Sequence, residues 1–512
     1  MPLAAQPNVL TYHNDVSRTG QDLSETMLTP TNINSATFGK LFQVTLDGVV
    51  DAQPLYVFGV AIPNQGTHNV LVVATENDTI YALDADTGAQ LWKLPLLRTG
   101  ETASDDRGCS QVTPEIGITS TPVIVPPSGT TQGAIYAVTM TKDSSGNYHQ
   151  RLHEVNLATG AQPLTGVDIF ARLPGTGEDS YEGWSYFDPK QYKERSGLLL
   201  LNGVVYLSWA SHCDDPPYTG WIMGYNASTL AIANGIDVTP NGSEGAIWGA
   251  GAGLAADSSG YIYFLDANGT FDTTLNAQGF PSMGDYGNAF IKLSAASGKL
   301  AVADYFTMYD TTSESNSDTD LGSGGALVLP DMTDANGTVQ HLAIGAGKDS
   351  NIYLVNRDNM GKFNPQNDSA IYQELDGALP GGIWSSPAYY QGSVYFGAVG
   401  GPIRAFQFSN AKLAATPTSV TPTSFPYPGA TPSISANGST NGILWAVENS
   451  SNAVLHAYPA NNLAQELYNS NQAAGGRDNF GAGNKFMVPT IANGKVYVGT
   501  PNGVAAFGLL GQ

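Results

Sequence analysis

The feature that most constrains this chain is an internal repeat. Residues 71–92, LVVATENDTIYALDADTGAQLW, read as an apolar strand (Leu71 to Ala74), a polar turn (Glu76 to Asp78), a second strand (Ile80 to Asp84), a Thr-Gly turn and an outer strand carrying Trp92. A further strand precedes them at AQPLYV (52–57), where Pro54 suits a strand whose amide does not pair in a continuous ladder. The innermost segment recurs as STPVIV (120–125), GLLLLNGVVYLSW (197–209), GAGLAADSSGYIYF (251–264), GGALVLPD (324–331), SSPAYYQGSVYFG (385–397), ATPSISANG (430–438) and VPTIANGKVYVG (488–499). The third strand recurs as LHEVNLATG, IMGYNASTL, FIKLSAASG, IYLVNRDNMG, IRAFQFSN, LHAYPANNL and GVAAFGLL. Counted with the first, these make eight units spaced about 45 to 70 residues apart, within what propeller blades of variable loop length tolerate.

One such unit cannot bury its own apolar face, so the units must stack. With 59 Gly, 30 Pro and 25 Tyr in 512 residues, the composition favours short strands and tight turns over helices. The last unit ends at VAAFGLL without an outer strand, while FGKLFQVTL (38–46) has the character of LWKLPL (91–96) but precedes the first inner strand. The pattern predicts an all-β, eight-bladed β-propeller over 38–512, closed by pairing of the N-terminal strand with the last blade, which removes open sheet edges. Residues 1–37 are expected as a leading segment packed on the outside. Its TYHNDVSRTG (11–20) reads as a tight polar turn pinning the amino end.

The charge balance narrows the partners. With 21 Lys and Arg against 44 Asp and Glu, a formal net charge of −23, the chain has no general phosphate-tracking surface, and nucleic acid is excluded as a partner. No apolar run approaches the ~20 residues that span a bilayer. The start lacks a charged n-region and an apolar h-region, and reads as a mature amino terminus given a new Met. Together with scarce lysine, this points to a secreted or periplasmic protein, expected as a monomer. Cys109 and Cys213 are the only cysteines, too far apart in sequence for a zinc cluster. A bridge between them would close a loop of about 100 residues, worth roughly 4–5 kcal/mol in the chain-entropy model; the alternative is two free thiols.

YALDADTGAQLW and IKLSAASGKL, with alanine and aspartate before a Thr-Gly or Ser-Gly turn and then tryptophan, resemble the bacterial PQQ-like (quinoprotein alcohol dehydrogenase-like) repeat proteins. The resemblance covers residues 38–512 and implies the propeller fold. Family members that oxidise alcohols carry an adjacent Cys-Cys pair over the quinone and a set of acidic and amide calcium ligands; here Cys109 and Cys213 are not neighbours in sequence. Other members are scaffolds that bind no quinone.

In a propeller, the loops entering the inner strands and those between second and third strands gather at one end of the axis, the default ligand site. Glu115, in the apolar setting PEIGI, is a general-acid candidate whose pKa burial would raise; the alternative is a carboxylate accepting backbone amides. His212, in WASHCDD, is a candidate general base or metal ligand, against a plain loop role. Lys142, Lys348 and Lys485 fall in loops of one face and would hold a carboxylate or a quinone anion if they converge. Trp248 and Trp384 follow Gly-rich turns and offer a floor for a sugar ring or flat cofactor, or packing between blades. Asp266, Asn268 and Asp272 in DANGTFD, with Asp318 and Asp320 in NSDTD, place oxygens at alternate positions as calcium loops do, without the full twelve-residue pattern. No Gly-x-Ser-x-Gly elbow, phosphate loop or HExxH occurs.

The leading expectation is therefore a funnel that binds a hydroxyl-rich small molecule or oligosaccharide, with acid/base turnover by Glu115 and His212. The alternatives are a PQQ-dependent alcohol or sugar dehydrogenase, with calcium as a companion ion, and a non-catalytic interaction platform. Glu115, His212 and Lys348 are expected to face one cavity.

Overall fold

The computed structural model describes residues 8–511 except residue 297. The repeat grammar becomes four-stranded antiparallel meanders. The first sheet runs Leu55–Ile62, Gly66–Thr75, Thr79–Asp84 and Gln90–Pro95, each strand pairing with the next. Its third strand is buried at every residue, whereas the outer strand is half to fully exposed, as expected of a sheet with one edge turned to solvent.

The same order recurs along the chain. The second sheet is built on Val123–Val125, Ala134–Asp143, Tyr148–Asn156 and Val167–Asp168, and the third on Leu199–Leu201, Val204–Ser208, Trp221–Asn226 and Ile232–Asp237. The fourth comprises Ala255–Ala256, Ile262–Leu265, Phe290–Ser294 and Ala301–Phe306; the fifth Leu327–Val328, Leu342–Gly345, Ile352–Asn356 and Gln373–Leu375. The sixth comprises Ala388–Tyr390, Ser393–Gly397, Gly401–Ser409 and Ser419–Phe425, and the seventh Ser433–Asn437, Thr440–Glu448, Val454–Pro459 and Tyr468–Asn469. In the eighth, Thr490–Ala492, Lys495–Thr500 and Gly503–Leu509 are followed outward by Phe38–Thr45, which pairs antiparallel with Gly503–Leu509. Among the described residues, the α-helical content is one short segment, Thr311–Asn316. No helix is long and apolar enough to cross a membrane.

The repeated sequence signature has a mechanical reason. In the Asp-Ala-Asp-Thr-Gly turn, Asp84 Oδ1 accepts the amides of Asp86 and Thr87 and the Thr87 hydroxyl, at 3.0, 2.8 and 2.8 Å. Asn156 Oδ1 does the same for Ala158 and Thr159 in the second sheet. Trp92 Nε1 then donates to the Leu157 carbonyl of the neighbouring turn at 3.0 Å. Tyrosines on second strands make equivalent ties: Tyr136 to Ala227 O, Tyr395 to Ala460 O, and Tyr497 of the eighth sheet to Ala85 O of the first. Apolar clusters fill the space between neighbouring sheets, and one of them joins Ala492, Tyr497 and Val504 of the eighth sheet to Leu55 and Leu83 of the first.

The leading segment departs from expectation. Residues 9–20 do not lie outside: they run past the edges of inner strands, and Gln21–Asp22 continues them as a strand paired parallel with Ser433–Asn437. Val9 exchanges backbone hydrogen bonds with Tyr56, and the amides of Ile124, Ala256, Val328, Tyr389 and Ile434 donate to the carbonyls of Leu10, Val16, Ser17, Thr19 and Gly20. Thr11 Oγ1 and Arg18 Nη2 supply the third sheet, both donating to Leu198 O. His13 and Arg18 are fully buried. Backbone amides at a buried strand edge need acceptors, and this segment's carbonyls supply them to Tyr56, Ile124, Ala256, Val328, Tyr389 and Ile434.

Candidate functional site

A cavity of about 520 Å³ is lined by charged and aromatic side chains. One wall is built around Asp320, which lies 2% exposed before the 3-10 turn Leu321–Ser323. Trp248 Nε1 donates to Asp320 Oδ2 at 3.0 Å, and Lys348 Nζ sits 2.8 Å from Asp320 Oδ1 and 2.6 Å from Asp318 Oδ1. Asn268 Nδ2 donates to Asp318 Oδ1 at 2.9 Å, leaving its buried Oδ1 without a partner. Burial raises the Asp320 carboxyl above its usual range although Lys348 opposes the shift. Burial also works against the Lys348 ammonium, but Asp320 and Asp318 carry it above its ordinary value.

The opposite wall is cationic. Lys193, Arg195 and Lys485 line it together with Gln111, Asp214 and Phe486. Lys193 Nζ donates to Ser211 O at 2.6 Å and to Gln111 Oε1. Burial pushes Lys193 down to about 7, with Arg195, Lys485 and Arg107 adding to the effect and Asp214 resisting it. The Arg195 guanidinium stacks 4.5 Å from the Phe486 ring centroid. Its Nη1 has no hydrogen-bond partner, and its nearest carboxylate, Asp51, lies 3.9 Å away. Phe486 holds a φ of +61°, strained for a bulky side chain, and presents its ring edge-on to Trp248 at 6.4 Å. Tyr218 and Tyr427 complete the aromatic lining.

Cys109 and Cys213 are bridged, with their Cα atoms 5.6 Å apart. The bridge pins the two loops that carry Gln111 and Asp214, whose side chains meet at 2.7 Å. Such a bond belongs to an oxidising compartment.

Of the residues singled out from sequence, Trp248, Asn268, Asp318, Asp320, Lys348 and Lys485 come together on this cavity. Trp384 stands behind it, 6.0 Å from Lys348 Nζ and 5.9 Å from the Tyr427 ring. The expected convergence of Glu115 and His212 with Lys348 does not occur, because neither lines the cavity. Glu115 sits on a two-residue strand opposite Asp105, its carboxyl raised by burial and by Asp47. His212 is buried against Lys190 O at 3.1 Å, and burial, with Lys193 and Arg107, drives its imidazole down to about 4. Lys142 is turned outward to Asp105 at 2.8 Å and to the Tyr148 ring. Asp272 is consumed by its own turn, accepting from Thr274 N, Met283 N and Ser282 Oγ. Asp266 is fully buried with neither carboxylate oxygen partnered, and desolvation holds it well above the usual carboxylate range.

The sequence reading missed Lys193, Arg195, Tyr218, Tyr427 and Phe486. A signal existed for the first two: Lys193-Glu194-Arg195 is a run of three charges before the apolar GLLLL, in a chain only 13% charged.

No family model matches the chain, and no curated protein sequence matches it. Solved structures do. Quinohemoprotein alcohol dehydrogenase from Comamonas testosteroni superposes with a TM-score of 0.63 at 12% identity, covering 100% of this chain and 82% of that one. The quinohemoprotein alcohol dehydrogenase ADHIIG from Pseudomonas putida HK5 gives 0.64 at 13% identity, covering 99% and 81%. A europium-containing methanol dehydrogenase gives 0.60 at 12% identity, covering 98% of each chain. At these identities the likeness is one of fold, that of the PQQ-like β-propellers.

Proposed function

We propose that the chain is a closed ring of eight blades whose cavity holds a flat, multiply anionic quinone of the PQQ type and oxidises a hydroxyl-bearing small molecule, an alcohol or sugar, outside the cytoplasm. The ring reading is supported by the Phe38–Thr45 pairing and by the tie from Tyr497 to Ala85. The extracytoplasmic reading, secreted or periplasmic, is supported by the disulfide; a monomer is the simplest state for such a ring.

One observation carries the ligand reading: Lys193, Arg195, Lys348 and Lys485 face one cavity with Trp248. In a chain of net charge −23, Lys193, Arg195 and Lys485 gather on one wall of the cavity, apart from Lys348 which is already paired with Asp318 and Asp320, and that wall is where an anion would bind. The residues fit such a group. Arg195 Nη1 is a buried donor without a partner, and Asn268 Oδ1 a buried acceptor without one. Arg195, Lys193 and Lys485 would hold carboxylates, and Trp248 a flat ring face. When bound, a PQQ-type quinone supplies a two-electron acceptor for alcohol oxidation. The chain's own part is acid–base and positional: Asp320, oriented by Trp248 Nε1 and raised by burial, is placed to accept a hydroxyl proton, and Lys348 stabilises the carboxylates beside it. Calcium belongs to the same proposal, with Asn268 Oδ1 and the Asp318 and Asp320 carboxylates as the oxygen donors on one wall.

A second reading, a hydroxyl-rich ligand such as an oligosaccharide bound without redox turnover, is favoured by the aromatic lining of Tyr218, Tyr427 and Phe486 beside Asp214 and Glu244. The experiment separates the two. Titration with a PQQ-type quinone, with and without calcium, is expected to quench tryptophan fluorescence saturably and to support dye-linked oxidation of an alcohol or sugar. Arg195→Met should weaken quinone binding roughly 10- to 100-fold, the worth of one charge-assisted contact. Sugar binding with no quinone binding would leave the second reading standing and remove the first.

A further inference from the structure

We propose that the Cys109–Cys213 bridge masks a soft-metal site completed by His212, a zinc-type site that forms when the bridge is reduced. The two sulfurs and a His212 ring nitrogen lie within 4.8 Å of one another, and among the described residues this is the cluster of His, Cys and acidic side chains close enough to share an ion. The histidine is the independent clue. Its Nδ1 faces the Lys190 carbonyl at 3.1 Å, so Nδ1 carries the proton and Nε2 is left as a lone pair. That Nε2 is buried and has no hydrogen-bond partner, in a residue with no exposure. An unpaired buried acceptor costs about 1–3 kcal/mol. A ring nitrogen fixed to a backbone carbonyl while its partner nitrogen points free is the arrangement by which proteins orient a metal-binding imidazole.

Two thiolates and one imidazole suit zinc or another thiophilic divalent ion, and three protein ligands leave a fourth position open. The neighbouring Gln111, which accepts from Cys213 N, and Asp214 line the cavity, so the cluster borders it. The chemistry balances. A dithiol reductant gives up two electrons and two protons and leaves as its own disulfide, while the S–S bond breaks and both sulfurs become thiols. On metal binding both protons leave as two sulfur–metal bonds form, and the His212 Nε2 lone pair makes the third. In the oxidised chain the sulfurs are committed to each other and the site is shut.

The test uses the full chain, oxidised or reduced by a water-soluble phosphine, which leaves as its oxide with oxygen taken from water. Cobalt(II) alone is the probe, read by thiolate-to-metal charge-transfer absorption, with circular dichroism recorded before and after each addition. The reduced chain should bind one cobalt ion with that absorption, and the oxidised chain should not. His212→Ala should weaken binding by more than the roughly 10- to 100-fold that loss of even an outer partner costs. Binding unchanged in His212→Ala would overturn the proposal, as would a reduced chain that stays folded and takes up no cobalt. A chain that loses its fold on reduction whether or not cobalt is present would also overturn it.

Discussion

Among single residues, position in the chain and position in space part company according to what the loops do. Trp248, Asn268, Asp318, Asp320, Lys348 and Lys485 were legible because the loops read from the repeat as lying on one face do bring them to one cavity. Glu115 and His212 were not, because their loops fold into extra ladders that no periodicity announces: Glu115–Ile116 pairs with Ser104 and Asp105, and Tyr192–Lys193 with Ala210–Ser211. The second ladder turns His212 into the Lys190 carbonyl and delivers Lys193 to the cavity in its stead. Lys193 gives the site a pH dependence. Its pKa near 7 in the folded chain lies below the ordinary lysine value, so the folded state gives up a proton that the unfolded chain keeps to about pH 10. Stability should therefore rise with pH from about 7 toward 10, since the unfolded state binds more protons across that window. Affinity for an anionic ligand should run the other way, falling as pH passes through 7. Isothermal titration across pH 6–9 checks this, and Lys193→Gln should flatten the profile.

At the level of the strand and turn, the Asp-Thr-Gly signature was readable because each of its residues has a fixed local duty. Asp84 closes the turn, glycine takes the left-handed position, and tryptophan reaches the next turn's carbonyl. The second sheet shows how tight the last step is. A Cβ at Gly160, whose φ is +69°, would meet the Trp92 ring at 2.8 Å. Gly160→Ala should cost about 2–3 kcal/mol, from left-handed backbone strain together with overpacking. Gly146, with φ +85° and nothing near its missing Cβ, is the matched control. Gly146→Ala should cost only the backbone part, about 1–2 kcal/mol. Urea denaturation of both variants reads the difference, and equal losses would mean that the tryptophan contact contributes nothing.

For the whole molecule, residues 9–45 hold the sheets together in a way that the repeat could not reveal. A repeat search sees units that resemble one another, and residues 9–20 resemble none of them. Their role is set by the free inner edges of other sheets, far away in sequence. Arg18 is the centre of this arrangement: it donates to Leu254 O at 2.9 Å, Tyr12 O at 2.8 Å, Thr11 Oγ1 at 2.7 Å and Leu198 O at 3.1 Å. Burial lowers it only to about 10, so it stays charged at neutral pH. Arg18→Met keeps much of the bulk and removes every donor, leaving buried carbonyls unpaired, and should cost about 3 kcal/mol or more. The connectivity makes a sharper demand. Residues 9–22 are bonded to inner strands and 38–45 to the eighth sheet, whereas the stretch between them, which includes exposed Met27, forms no strand. A protease site placed within 29–36 and cut in the folded protein should therefore leave the amino-terminal fragment attached. It should co-elute with the remainder on size exclusion under native conditions and separate only in denaturant. A fragment that dissociates in native buffer would mean that the covalent link, rather than the hydrogen bonds to the inner strands, holds this segment in place.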